Sequence, residues 1–251
     1  EARSFVGRSD KPITSEEESR SRQGYEEWAY VLSEGVERRS YEHPELQADY
    51  FRGTELFFTN TGFTRHDPKA PAGFEICTAC GTWRDPSDKG WDKSHAKRCP
   101  EGKIKSFHLA YRLSTDCLVV RPARSPSNPL AALAFYATLR HALVLGANLT
   151  LETERDEIEG FERQGADGTE VVLFDNVIGG AGYVEQLAPV LQGAAKAACE
   201  RLETCQCVTS CYRCLRSYRN QREHDLLDKR LILPVLREVA AGSGPSVAEV
   251  A

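Results

Sequence analysis

Seven of the nine cysteines in this 251-residue chain fall in two clusters. Cys205, Cys207, Cys211 and Cys214 form a C-x-C-x3-C-x2-C run within ten residues. Loops that short let four thiolates converge on one tetrahedral ion at about 2.3 Å each. The spacing points to zinc; buried reduced thiols are the plain alternative, and a [2Fe–2S] or [4Fe–4S] cluster uses the same ligands. Cys77 and Cys80, followed by His95 and Cys99, give C-x2-C-x14-H-x3-C, the ligand spacing of a Cys3His finger. Gly81 follows the first pair, and Trp83 and Trp91 supply the small apolar core such a finger needs. The alternative here is a surface imidazole at His95 and an incomplete site. Four protein ligands leave no open position, so both sites read as structural, two zinc ions whose binding energy goes into folding. Cys117 and Cys199 are left as ordinary buried thiols. An odd cysteine count excludes an all-paired disulfide framework, and no basic, then apolar, leader marks secretion. The expected compartment is therefore reducing, the cytoplasm.

Beside the second cluster, Thr204 to Arg222 contains no acid, while Arg213, Arg216, Arg219 and Arg222 recur every third residue with Tyr212 and Tyr218 among them. On an α-helix these arginines would sweep about half the circumference, and a 3₁₀ turn would align them. This is the one concentrated positive patch that the sequence offers. Arginines with tyrosines suit phosphate contacts and base stacking; the alternative is a solvated face paired to the acidic stretch 151–167, where seven acids stand against Arg155 and Arg163. The formal charge of −5 makes any DNA footprint local. Asp175-Asn176-Val177-Ile178-Gly179-Gly180-Ala181-Gly182 follows a strand and precedes a helix, but lacks the Gly-Lys-Ser/Thr of a P-loop and the spacing of a dinucleotide fingerprint. It reads as a tight turn, whose helix N-terminal amides remain open to a backbone phosphate. Asn220, His224 and Asp228 form either a hydrolytic set or a capping and zinc-supporting one.

The elements that must position these residues make an α+β chain, β-rich before a Pro-rich linker and helical after it. Residues 1–24 are mixed in charge with no apolar period and are expected to be a loose N-terminal segment. Residues 25–120 form a β-rich region carrying the finger. Two strands precede a turn at Asn60-Thr61-Gly62, and another pair runs from Phe107 to Leu113 and from Cys117 to Val120. Residues 121–129 are the linker, ending with Asn128 as N-cap and Pro129 at the first helical position. From 130 to 251 the pattern predicts a helix stopped by Gly146, a strand Glu170–Asp175, a long helix interrupted at Pro189, and a last helix over about Asp225–Ala241 with Pro234 inside. No window approaches the ~18 consecutive apolar residues of a membrane span, so no membrane partner is expected. With Glu1 first and no methionine, the chain is expected to be a fragment of a longer polypeptide.

Asp175-Asn176 with Gly179-Gly180-Ala181-Gly182, the four-cysteine knuckle, Leu215-Arg216-Ser217-Tyr218, Asn220 and Leu227-Asp228-Lys229-Arg230 resemble the MrfA-type zinc-binding (MZB) domain over about 105–240. The finger is similar to an accessory zinc element of some members. The Asp228-Lys229-Arg230 triplet departs from the Asp-Arg of many relatives. The resemblance implies a non-catalytic module found at the C-terminal end of superfamily 2 DNA helicases of DNA repair, and in the DrmB subunit of the DISARM anti-phage system. It also implies DNA and a helicase motor, in cis or in trans, as partners. On this reading Arg213, Arg216, Arg219, Arg222 and Tyr218 contact DNA, and no residue of the chain is catalytic. A metal-dependent nuclease using Asp175, Asn220 or His224, and a pure protein-docking module, are the competing expectations.

Overall fold

The computed structural model describes residues 2–6, 24–33, 35–63, 73–85, 88–242 and 246–248. In chain order the first elements are β1 (Ala2–Val6), β2 (Gly24–Ser33), β3 (Glu37–Glu42), β4 (Leu46–Phe63), β5 (Phe74–Cys77), α1 (Trp91–Arg98), β6 (Ile104–Phe107) and β7 (Leu109–Pro122). After them come α2 (Pro129–Leu151), β8 (Ile158–Gln164), β9 (Thr169–Asp175), α3 (Tyr183–Leu187), α4 (Leu191–Thr204), α5 (Lys229–Ala241) and β10 (Ser246–Ala248). The architecture is α+β. The chain divides into two compact units, one of Glu1, Tyr30–Leu56 and Arg112–Ala251, the other of Ala2–Ala29 and Phe57–Tyr111.

In the first unit, β9 lies between β7 and β8, antiparallel to both, with Val119 opposite Val172 and Phe161 also opposite Val172 from the other side. Val171, Val172, Leu173 and Phe174 are all buried, the run expected of a strand covered on both faces. α2 lies across this hairpin and packs on α4 and α5. Asn128 starts it, its Oδ1 accepting from the Leu130 and Ala131 amides at 3.0 and 3.1 Å, with Pro129 next. By length and hydropathy α2 would span a membrane. Its Phe135, Leu139, Leu143 and Ala147 instead form the centre of the core, the phenylalanine and the two leucines each contributing roughly 1.5–3 kcal/mol on burial. In the second unit, β1 pairs antiparallel with β2, β5 pairs with β6, and Phe58 of β4 stacks on Tyr111 of β7 at 4.8 Å.

Several expectations are corrected. Gly146 does not stop α2, which continues to Leu151 and ends where Glu152 turns left-handed at φ 52°. Glycine is required at 146 because α4 crosses there: a Cβ would lie 2.1 Å from the Ala194 carbonyl oxygen. Asn60-Thr61-Gly62 is not a turn between strands. β4 runs through it, with Gly62 at φ 97° and its amide held by Asn60 Oδ1 at 3.0 Å. The break expected between Leu113 and Cys117 is absent: β7 is continuous from Leu109 to Pro122, and the interruption falls at His108 instead. The acidic stretch 151–167 is not all loop: β8 lies within it, with Ile158 and Phe161 buried on opposite faces of the strand beside β9. Within 1–24, Ala2–Val6 is strand, and 7–23 lie outside the described residues. The segmented helix at Pro189 is α3, a 3₁₀ turn Ala188–Val190 and α4; the last helix begins at Lys229, after the Asp228 cap.

Gly146→Ala is expected to destabilise the chain by about 1–3 kcal/mol, the cost of overpacking a close helix crossing. Chemical denaturation monitored by far-ultraviolet circular dichroism measures it.

Candidate metal centres and the surface they hold

Cys205 ends α4 in an extended conformation, and the chain then folds back in tight turns through Cys214. The four sulfurs converge: Cys205 lies 3.5 Å from Cys207 and 3.4 Å from Cys211, while Cys214 lies 3.6 Å from Cys207 and 3.8 Å from Cys211. A tetrahedron of Zn–S bonds of about 2.3 Å has edges of about 3.8 Å. These separations exceed any disulfide. They also fit one ion rather than a cluster, whose inorganic sulfides would hold the cysteines farther apart. Without a cation the thiols are electrostatically mismatched. Burial pushes Cys207 up to about 12, whereas Cys211 is drawn down to about 6, burial being outweighed by the Arg213 amide and the neighbouring thiols. A dication lets all four ionise together.

The knuckle is clamped to the core by Lys229. Its Nζ, buried, donates to the carbonyls of Leu202 (2.9 Å) and Cys205, the last turn of α4, where a cation also meets the negative end of the helix dipole. Its amide donates to Thr209 within the knuckle at 3.0 Å.

The finger is built on the β5–β6 hairpin and α1. Cys77 ends β5, Cys80 lies in the following turn, His95 projects from α1 and Cys99 caps it. The Cys80 sulfur lies 3.3 Å from His95 Nε2, and Cys77 lies 3.9 Å from Cys99. All four ligand atoms lie within 4.8 Å of one another. His95 is buried, with Trp91 stacked on its ring at 4.2 Å and 11°. Hydrogen bonds from Thr82, then from His95, hold Cys80 down at about 6, and burial lifts Cys99 to about 11. Gly102 gives room: a Cβ there would meet His95 Cε1 at 2.7 Å and the Cys77 sulfur at 2.8 Å. Among the described residues these two are the metal-holding groups. Cys117 and Cys199 are buried apart from both, and burial pushes Cys117 up to about 12.

The arginines that follow Cys211 ride on irregular turns and a 3₁₀ turn, Gln221–Glu223, rather than a helix. Arg213 and Tyr218 are exposed. Arg216 is half-buried and donates from Nε to Ser210 Oγ at 2.8 Å, bracing the knuckle. Arg219 is paired with Asp156 at 3.0 Å and Glu159 at 3.3 Å, so for this residue the acidic stretch is the partner. Arg222 is half-buried beside them in sequence. The structure therefore separates four similar residues into different environments.

The groups of the hydrolytic alternative are committed to structure. Asp175 is fully buried and accepts from the amides of Ala181 (2.7 Å), Gly182 (2.7 Å), Tyr183 (3.2 Å) and Val184 (3.0 Å). Burial lifts its pKa above the usual carboxylate range, against those four donors. The amides at the start of α3, left open to a phosphate by the sequence, are thus filled by the chain's own carboxylate, and the positive φ values of Gly179, Gly180 and Gly182 bend the loop around it. Asn220 holds the Ser217 amide and the Leu215 carbonyl, at 2.7 and 2.8 Å. His224 Nε2 lies 3.0 Å from Asn220 Oδ1 and 3.1 Å from the Ser217 carbonyl, and Asp228 caps α5 through the Arg230 amide.

One cluster escaped the sequence reading. Arg140, buried in the middle of apolar α2, binds Glu162 of β8 at 2.8 Å, Glu223 after the knuckle at 2.6 Å and the Gly160 carbonyl at 3.1 Å. His141 binds Glu223 from its other side at 2.6 Å. Burial opposes ionisation of Glu223, but the Arg140 charge and His141 outweigh it and hold its carboxyl far below the usual range. A lone arginine within an apolar helix was the available signal, since a buried charge requires a partner.

The sequence profile of the MrfA Zn-binding domain matches residues 139–215, from α2 through the last knuckle cysteine. Druantia protein DruE of Escherichia coli (strain UMEA 4076-1) is 28% identical over 206 residues, 70% of this chain and 11% of that protein. A solved DUF1998 helicase, MrfA bound to DNA, is similar over 86% of this chain and 25% of that one, with TM-score 0.51 at 12% identity, a likeness of fold. The chain spans a small part of either.

Elemental analysis is expected to give two zinc ions per chain, falling to one in Cys214→Ser and to one in Cys80→Ser. Glu223→Gln is expected to cost roughly 3–5 kcal/mol, because it leaves Arg140 buried with half its compensation; equilibrium unfolding reads it out.

Proposed function

We propose that this chain, whose residues 139–215 match the sequence profile of the MrfA Zn-binding domain, is a non-catalytic zinc module working with a DNA helicase motor, in cis or in trans. The observation that carries the proposal is the coincidence of the family match with a closed four-thiol site that fixes the residues from Arg213 to Tyr218 to the core. A closed site has no position for substrate or water, so the metal's output is shape. In this reading the knuckle offers Arg213 and Tyr218 to DNA, the guanidinium to phosphate and the ring to a base or sugar, with Arg216, Arg219 and Arg222 around them. The similarity to Druantia protein DruE and to a helicase solved with DNA supports the helicase and DNA part of this reading; a role in anti-phage defence or DNA repair, in a reducing cytoplasm, completes the proposal.

A second reading, a protein-docking knuckle without DNA contact, is favoured by one observation, the pairing of Arg219 with Asp156 and Glu159. The hydrolase reading has no such support, since Asp175, Asn220 and His224 are each held by structural hydrogen bonds.

Salt separates the two readings. DNA affinity measured by fluorescence anisotropy is expected to fall linearly with log salt concentration and to weaken about tenfold in Arg213→Ala/Tyr218→Ala, from one phosphate contact and one stacked ring. Binding indifferent to both changes overturns the DNA reading and leaves docking.

A further inference from the structure

We infer that the Cys77–Cys80–His95–Cys99 finger carries a second DNA-backbone surface, made by Lys93, Lys97, Lys103 and Lys105. The inference rests on the proposal that the chain works on DNA. It concerns a surface outside the family match and outside the patch read from the sequence.

Trp91 and His95, four residues apart on α1, turn inward to the metal site. At 100° per residue, this forces Lys93 and Lys97, also four apart, onto the opposite side of the helix. Both are exposed. Lys103 follows Gly102 at the metal site, its carbonyl held by the Thr78 amide and hydroxyl of the cysteine turn at 2.9 and 3.1 Å. Two residues on, Lys105 shares a strand face with Phe107, and all three are exposed. From Lys93 to Lys105 there are five cations, counting Arg98, against the single acid Glu101, in a chain whose net charge is −5.

Two of the finger's other acids are paired with a cation, and a third is held by an amide. Arg84 binds Glu75 at 3.3 Å and Asp92 at 2.6 Å, and the Asp88 carboxylate accepts from the Gly90 amide at 2.8 Å. Among the described residues no acid pairs with the four lysines, in contrast to Arg219 of the knuckle. A rigid scaffold with a closed metal site, two of its acids paired with Arg84 and its lysines turned outward, is complementary to a polyanion. The exposed Phe107 ring beside Lys105 adds a face on which a sugar or base can rest.

The test uses the zinc-loaded chain with a fluorescein-labelled DNA duplex and its separated single strand. In Lys93→Ala/Lys97→Ala/Lys103→Ala/Lys105→Ala, affinity at about 0.1 M salt is expected to fall at least about tenfold, and the slope of log affinity against log salt by about 2–4, on the tighter of the two DNAs. The matching four-Lys→Arg variant is expected to bind as the unaltered chain does. Two zinc ions per chain and an unchanged melting temperature in both variants show that folding is intact. An unchanged slope in the alanine variant, or equal loss in the arginine variant, overturns the finger surface. If only Arg213→Ala/Tyr218→Ala weakens binding, the finger inference fails and the knuckle reading stands. If the unaltered chain binds neither DNA, both fail.

Discussion

Four thiols in ten residues, with sulfurs 3.4–3.8 Å apart, are a charge problem before they are a binding site. All four ionise together only around a dication, and much of the first unit is arranged on the assumption that they do. α4 ends at the first of them, the turns after Cys211 take their course from the last two, and Lys229 ties the assembly to the start of α5. The finger repeats the solution on a smaller scale, with the Trp91 ring stacked on the imidazole ligand of His95. In both places local chain geometry is supplied by coordination where a short loop has too little apolar area of its own to fold.

The metal centres were the most legible part of the sequence, because ligand spacing is a local property and both sets of four converge as their spacing implied. The α+β class and the Asn128–Pro129 helix start were legible for the same reason. What escaped was long-range. Gly146 looked like a helix stop because glycine usually is one; only the crossing of α4, almost fifty residues later, shows that it makes room for a backbone. β8 was hidden by its acids, since the two residues that commit it to the sheet, Ile158 and Phe161, are diluted among charges. Asp175 and the glycine turn were read as open to a ligand because no local pattern reveals that a carboxylate six to nine residues upstream fills the helix start.

The regular spacing of the arginines was the least reliable signal. Each third residue from 213 to 222 carries the same side chain, yet the fold sends one to a hydroxyl in the knuckle and one to a pair of acids, and leaves one open. Periodicity implies a shared face only on a regular element, and these turns are not one. The finger reverses the lesson. Its lysines have no striking spacing, but α1 and β6 are regular, so their orientation follows from which neighbours are buried.

The position of Cys205 has a thermodynamic consequence. It is the first residue after α4, whose Ala194, Ala195, Ala198 and Leu202 lie in the core. The knuckle is therefore in series with the helix that the core is built on, and folding and coordination are one equilibrium. Stability then contains a contribution of RT ln(1 + [Zn]/Kd), which grows by about 1.4 kcal/mol for each tenfold rise in free zinc once the site is near saturation. The fraction of folded chain then follows zinc availability, with any partner that binds the folded module adding to it by the same relation.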